Sequence, residues 1–161
     1  MIRGQVNEDT HGLSVEKKFI EVTRGLYGSK NVKISTTEEN MIHHIDCFID
    51  GVSYDVKSEK KLNRNDEESS PDVIWLEYKN VKGYTGWLFS EKLQKIAFYR
   101  NSQFYIIDRI KLMEYAKTII EDETVYSTKQ YRKFYRRFDR PHEKVTYVYF
   151  SDIEHLVEKI I

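Results

Sequence analysis

Two aspartates and a lysine carry the sharpest chemical signal in this sequence. Asp46 lies in the run HHIDCFI, Asp55 and Lys57 in the run VSYDVK, and the dipeptide Asp50-Gly51 joins the two. Asp-Gly between alternating apolar runs is a strong signal for a β-hairpin with a two-residue type I′ turn. Such a turn makes Ile49 and Val52 partners and sets the register behind them. Ile49/Val52, Cys47/Tyr54 and Ile45/Val56 then share a largely apolar, core-facing side, which keeps Cys47 inert, while Phe48/Ser53, Asp46/Asp55 and His44/Lys57 share the other. Counted from the turn, Asp46/Asp55 is a non-hydrogen-bonded pair, the class with the closer side chains. Two directly opposed carboxylates repel unless a cation sits between them or one holds a proton. A hard divalent ion takes oxygen ligands of this kind, and Mg2+ commonly uses one or two carboxylates with water and substrate phosphate. Lys57, two residues past Asp55, can stabilise charge on a phosphate or help to orient and deprotonate an attacking water. A single Asp-x-Lys is ordinary solvated surface; the facing Asp46 and the apolar opposite side distinguish this one.

Glu77 and Lys79 repeat the acid-x-Lys spacing on a third strand, expected at residues 72–78. If that strand lies beside the Asp55 strand, Glu77 adds a carboxylate to the site; otherwise it makes a cross-strand salt bridge. The following loop offers Lys79, Lys82, Tyr84 and Trp87 to a nucleic acid, although a Trp there can equally plug a core end. Lys129, Arg132, Lys133, Arg136, Arg137 and Arg140 alternate with aromatics in KQYRKFYRRFDR, a pattern suited to a nucleic-acid groove or to a basic solvated helix.

The remaining elements must position these residues. A helix is expected over residues 13–27, capped by Ser14, packing Val15, Phe19, Val22 and Leu26, and ended by Gly28. Residues 29–40 read as polar connection, and residues 58–71, charged and Ser/Asn-rich, as a mobile loop that could close over substrate. A short helix near residues 90–94, strands IAFYR and QFYIID around Asn101-Ser102, a helix capped by Asp108 with apolar positions Ile110, Met113, Ala116 and Ile120, a strand VTYVYF, and a last helix opened by Ser151 and containing Ile153, Leu156, Val157 and Ile160 complete the order. That order suits an α/β fold, a mixed sheet flanked by helices.

With 161 residues, 40% hydrophobic and 32% charged, the chain fits a single domain over residues 1–161. Mean hydropathy is −0.64, and no apolar run approaches the ~20 residues of a membrane-spanning helix. The first residues, MIRGQVNEDTHG, lack the apolar segment of a signal peptide, so a cytoplasmic protein with no membrane partner is expected. Cys47 is the only cysteine, which excludes disulfides, thiolate zinc clusters and Cys-x-x-Cys redox chemistry. Lys+Arg and Asp+Glu balance at 26 each, so bulk charge neither favours nor opposes a nucleic-acid partner.

On Asp46 in HIDCFIDG, Asp55-Val56-Lys57 in YDVKSEKK and Glu16 in the first helix, the sequence resembles the PD-(D/E)xK nuclease superfamily, with its restriction-endonuclease-like fold and its Holliday-junction resolvases and phage enzymes. The stretch WLEYKNVKGYTGWLF is similar to phage-type members. The resemblance implies that Asp46, Asp55 and the Val56 carbonyl bind Mg2+ or Mn2+, that Glu16 completes the site directly or through water, and that Lys57 assists the nucleophile. It implies endonucleolytic hydrolysis of DNA to 5′-phosphate and 3′-hydroxyl ends, and admits a homodimer that cuts two strands. Two other readings stand beside it. One is a non-catalytic nucleic-acid-binding or assembly module on the same fold; the other is an acid/base pair acting on sugar or protein, for which no sugar cleft is apparent.

Overall fold

The computed structural model describes residues 3–62, 65–119, 124–125, 131–137 and 139–161, with side chains described from residue 14 onward except 124, 136 and 137. The chain is mixed α/β and forms two compact units, Met1–Ser58 with Lys92–Ile107 and Glu158–Ile161, and Glu59–Glu91 with Asp108–Val157. Among the described residues, no helix is long and apolar enough to cross a membrane.

The first unit is built on a mixed sheet. Helix α1 (Arg3–Tyr27) precedes strand β1 (Val32–Ile34), helix α2 (Thr37–His43), and strands β2 (Cys47–Ile49) and β3 (Val52–Lys57). Strands β5 (Lys95–Arg100), β6 (Gln103–Asp108) and β10 (Val157–Ile160) complete it in the order β1-β2-β3-β5-β6-β10, with β3 and β5 parallel. The β2–β3 register is the one its turn dictates, Ile49↔Val52, Phe48↔Ser53 and Cys47↔Tyr54. Asp50 and Gly51 both have positive φ, 49° and 81°, as a type I′ turn requires. Asn101 and Ser102, at 49° and 65°, turn β5 into β6 in the same way.

The apolar periodicity of α1 marks where the helix packs rather than where it starts. The helix begins eleven residues before Ser14, which is therefore not its cap. Its buried stripe is Val15, Phe19, Ile20 and Thr23, whereas Val22 and Leu26 face outward. Thr23 buries as if apolar because its hydroxyl donates to Phe19 O at 2.7 Å, which satisfies it within the helix. This stripe meets Cys47, Ile49, Ala97, Phe104 and Ile106, with Tyr54 and Val56 at its margin. Burial pushes the Cys47 thiol up to about 12, so it is no nucleophile.

The second unit holds β4 (Val73–Lys79), α3 (Arg109–Ala116), β7 (Thr124–Val125), β8 (Phe134–Arg137), β9 (Arg140–Tyr149) and the single-turn α4 (Phe150–Ile153), its sheet ordered β4-β9-β8-β7. Asp108 caps α3 as expected, accepting from the N–H groups of Ile110 and Lys111, but the helix buries Arg109, Leu112 and Ala116 and leaves Ile110 exposed. Three other expectations give way. The helical turn near residue 90 is a 3-10 turn at Trp87–Phe89; residues 134–137 of the basic stretch are a strand; and Val157–Ile160 is an edge strand on β6, not helix.

Phe19 is fully buried, with its ring 5.0 Å from Phe104 and 5.6 Å from Tyr54. Phe19→Ala is expected to cost about 3–5 kcal/mol, read as a lower denaturant midpoint with unchanged slope. A loss under ~1 kcal/mol would mean that α1 is not the lid of this core.

Candidate active site

The hairpin departs from regularity where the chemistry lies. Ladder pairing ends at Cys47↔Tyr54, yet the Asp46 N–H also donates to Tyr54 O at 2.8 Å, so two successive residues answer to one partner, the arrangement of a bulge. Ile45 consequently leaves the α1 face where it was expected and lines a cleft with Glu38, Glu39, His43, Phe48 and Lys92. His44 is not on a strand opposite Lys57 but ends α2 in the left-handed conformation, φ 59°.

Despite the bulge, Asp46 and Asp55 meet. Both are buried, at 8% and 4% exposure, and Asp55 lies close enough for its charge to help push the Asp46 carboxyl up. Asp46 is clamped on both oxygens, Oδ2 accepting from Val56 N at 2.7 Å and Oδ1 from Asn40 Nδ2 at 2.8 Å. Lys57 Nζ stands 2.8 Å from Asp55 Oδ2. Below them, the Ser53 N–H donates to Gln94 Oε1 at 3.0 Å and the Ser53 hydroxyl to Lys92 O at 2.7 Å, tying the start of β3 to the chain entering β5.

Glu16 projects from α1 into the field of Asp46. Burial, then the Asp46 charge, raises its carboxyl to about 7; burial, then Asp55, raises Asp46 to about 7 as well. Like charges thus crowd into a poorly solvated place where one proton or one cation relieves them. The donor set is of hard oxygens, which fits Mg2+ or Mn2+, with Asp46 and Asp55 as the buried pair. Among the described residues, no group of three or more His, Cys, Asp and Glu is arranged to hold an ion, so water or substrate oxygens would have to complete the shell.

Glu77 does not join this set on an adjoining strand. The neighbours of β3 are β2 and β5, whereas β4 pairs with β9 in the other sheet. There Glu77 braces the loop that follows: its Oε1 accepts from Trp87 N at 3.4 Å, and a Cβ on Gly86 would lie 2.4 Å from Glu77 O. Lys79 and Lys82 are exposed, and Tyr84 is 69% exposed, but Trp87 is buried and has no free face for a base. Lys129 lies outside the described residues. Arg132 sits over the Tyr115 ring at 5.6 Å, Lys133 accepts the Thr146 hydroxyl through its carbonyl, Arg136 and Arg137 fall in β8, and Arg140 is 3.8 Å from Glu143. Of the residues that hold Asp46, the sequence reading missed Asn40. Its one available signal was the Thr36-x-x-Glu39 capping box, which does open α2 and so sets Asn40 one turn on.

The chain matches no protein-family model, no curated protein and no solved structure.

The raised carboxyls have a signed consequence for stability. Unfolded, Asp46 and Glu16 ionise near their ordinary 3.8 and 4.5; folded, they hold protons to about 7. The native state then binds more protons between pH 4 and 7, so their contribution is full below pH 4 and is lost as pH rises to 7. Asp55→Asn removes one cause of the shift. In thermal melts with chelator, the variant is expected to gain roughly 1–2 kcal/mol over wild type at pH 8 and to lose that advantage near pH 4. Parallel pH profiles would mean that the two carboxyls do not confront one another.

Proposed function

We propose that this chain is a divalent-cation-dependent DNA endonuclease of restriction-endonuclease-like architecture. The observation that carries the reading is the burial of the Asp46 and Asp55 carboxyls within each other's field, with the Lys57 ammonium 2.8 Å from Asp55. Holding two carboxyls this close out of water is costly once both are ionised, since removing each charge from solvent costs several kcal/mol, and a bound cation removes that cost. The resemblance noted on Asp46, Asp55-Val56-Lys57 and Glu16 assigns the same residues to phosphodiester hydrolysis.

Asp46 and Asp55 would hold Mg2+ or Mn2+, with the Val56 carbonyl as a further ligand and Glu16 acting directly or through water. The cation would supply Lewis acidity toward a phosphoryl oxygen and lower the pKa of water. The chain's own groups do the rest. The Val56 N–H and the Asn40 amide keep the Asp46 carboxylate in one orientation, which limits reorganisation when charge develops at phosphorus. Lys57, 26% exposed and already neutralising part of the Asp55 charge, can turn its ammonium to the scissile phosphate and stabilise the added negative charge, or orient the water that attacks. In-line attack opposite the 3′ oxygen would leave a 5′-phosphate and a 3′-hydroxyl.

The test uses purified protein with Mg2+ or Mn2+ and plasmid, single-stranded and branched DNA. Cleavage of at least one substrate is expected, lost on chelation and lowered at least ~10²-fold by Asp55→Ala and by Lys57→Ala while both variants keep wild-type circular dichroism. Binding without cleavage of every substrate, or full activity in either variant, would overturn the assignment and leave a non-catalytic module.

A further inference from the structure

Asp46 is the hub at which three segments of the first unit meet. Its N–H donates to Tyr54 O at 2.8 Å, its carbonyl accepts from Ser35 N at 3.0 Å, and its carboxyl oxygens accept from Val56 N and Asn40 Nδ2. The first three partners are backbone groups of β3 and of the chain leaving β1, fixed by the sheet. The fourth is a side chain, and it comes from α2. The same amide nitrogen also donates to Ile45 O at 3.4 Å. A carboxylate and a carbonyl can only accept, so the nitrogen of this amide, and not its oxygen, must face them.

Helix α2 contributes nothing to the core. It has seven residues, too few to be stable alone, and buries none of them; its apolar Met41 and Ile42 are 73% and 60% exposed. The chain leaves β1 through Ser35, makes this helix, and returns to β2 through Asp46. At the start the Thr36 hydroxyl accepts from Glu39 N and Glu39 Oε1 accepts from Thr36 N; at the end left-handed His44 reverses the chain and Ile45 N donates to Glu39 O at 3.1 Å. The capping box fixes where the helix begins and the left-handed residue where it stops, which sets Asn40 against the Asp46 carboxyl. What this excursion delivers to the sheet is one amide. A carboxylate bonded at both oxygens keeps a lone pair on each for a cation and is held against rotation about its terminal torsion. Released by Asn40, Oδ1 would lose that restraint.

We propose that Asn40 is a positioning residue for Asp46 as a cation ligand, and that α2 acts on the site through this amide. The inference rests on the reading of Asp46 and Asp55 as cation ligands. Linkage gives it a second consequence: an ion that favours the held carboxylate also favours the helix that holds it.

Mn2+ binding to the full-length protein is measured without DNA, from the electron paramagnetic resonance signal of the free ion, so that the readout does not depend on cleavage. Asn40→Ala is expected to weaken Mn2+ binding by about 10- to 100-fold. Thr36→Ala, which removes the cap of α2, should weaken it about fivefold in the wild-type background and less than about twofold in the Asn40→Ala background, because the helix has then lost its means of acting. Hydrogen exchange of the amides in residues 37–44 should slow when Mn2+ is added to wild type and not when it is added to Asn40→Ala. Asn40→Leu, similar in volume and a good helix former, gives the same reading should Asn40→Ala fold poorly. Mn2+ affinity of the Asn40 variant within about twofold of wild type, or a cap effect of equal size in both backgrounds, overturns the proposal and leaves the cation reading intact. No Mn2+ binding by wild type sinks both.

Discussion

Two carboxyl groups buried within each other's field at the end of a short hairpin impose the main constraint on the first unit. At effective interior permittivity, like charges a few ångströms apart repel by several kcal/mol when both are ionised. The structure holds them there by other means. The Asp50-Gly51 turn sets the register, the bulge at Asp46 brings its side chain round, and Val56 N–H with Asn40 Nδ2 bind both of its oxygens. The core beneath, Phe19 against Tyr54 and Phe104, supplies the burial that offsets the repulsion. Without a cation the conflict is eased by protonation, which is why Asp46 and Glu16 are both pushed up to about 7.

Such an arrangement sits at the costly end of the trade between stability and function. A hairpin selected for stability alone would carry opposite charges across the strands. Lys57 supplies one, but on the same strand as Asp55 and partly open to solvent, where it moderates the acid pair without closing it off. The acid pair, the nearby Glu16 and the reachable ammonium together form a site that gains from a doubly charged ligand.

What could be read from sequence follows how local each feature is. The β2–β3 and β5–β6 turns and the Asp108 cap were legible because a few adjacent residues determine them. The meeting of Asp46 and Asp55 was legible for the same reason, although the route differs: Asp46 reaches Asp55 from a bulge, and Ile45 then falls on the other side. Bulges leave no mark in a period-two pattern. Helix α2 was missed because its apolar residues Met41 and Ile42 are exposed, so it has no packing stripe to read. Val157 and Ile160 have helical spacing, but the unpaired edge of β6 claims this segment as a strand, tertiary pairing overriding the local pattern. Glu77 shares the acid-x-Lys spacing of Asp55 yet belongs to another sheet, because spacing along a strand carries no information about which strand lies beside it. The basic run 129–140 was legible in composition only; its strand and the partner rings Trp75, Tyr147 and Tyr149 depend on pairing with distant strands.

The most direct measurement is a crystal of the protein grown with Mn2+, with anomalous difference density collected at the manganese edge. The expected result is one strong peak bridged by carboxylate oxygens of Asp46 and Asp55, with Lys57 Nζ beside it. A crystal in which those two side chains bind no ion at millimolar Mn2+, or point to opposite sides of the sheet, would contradict the role assigned to them.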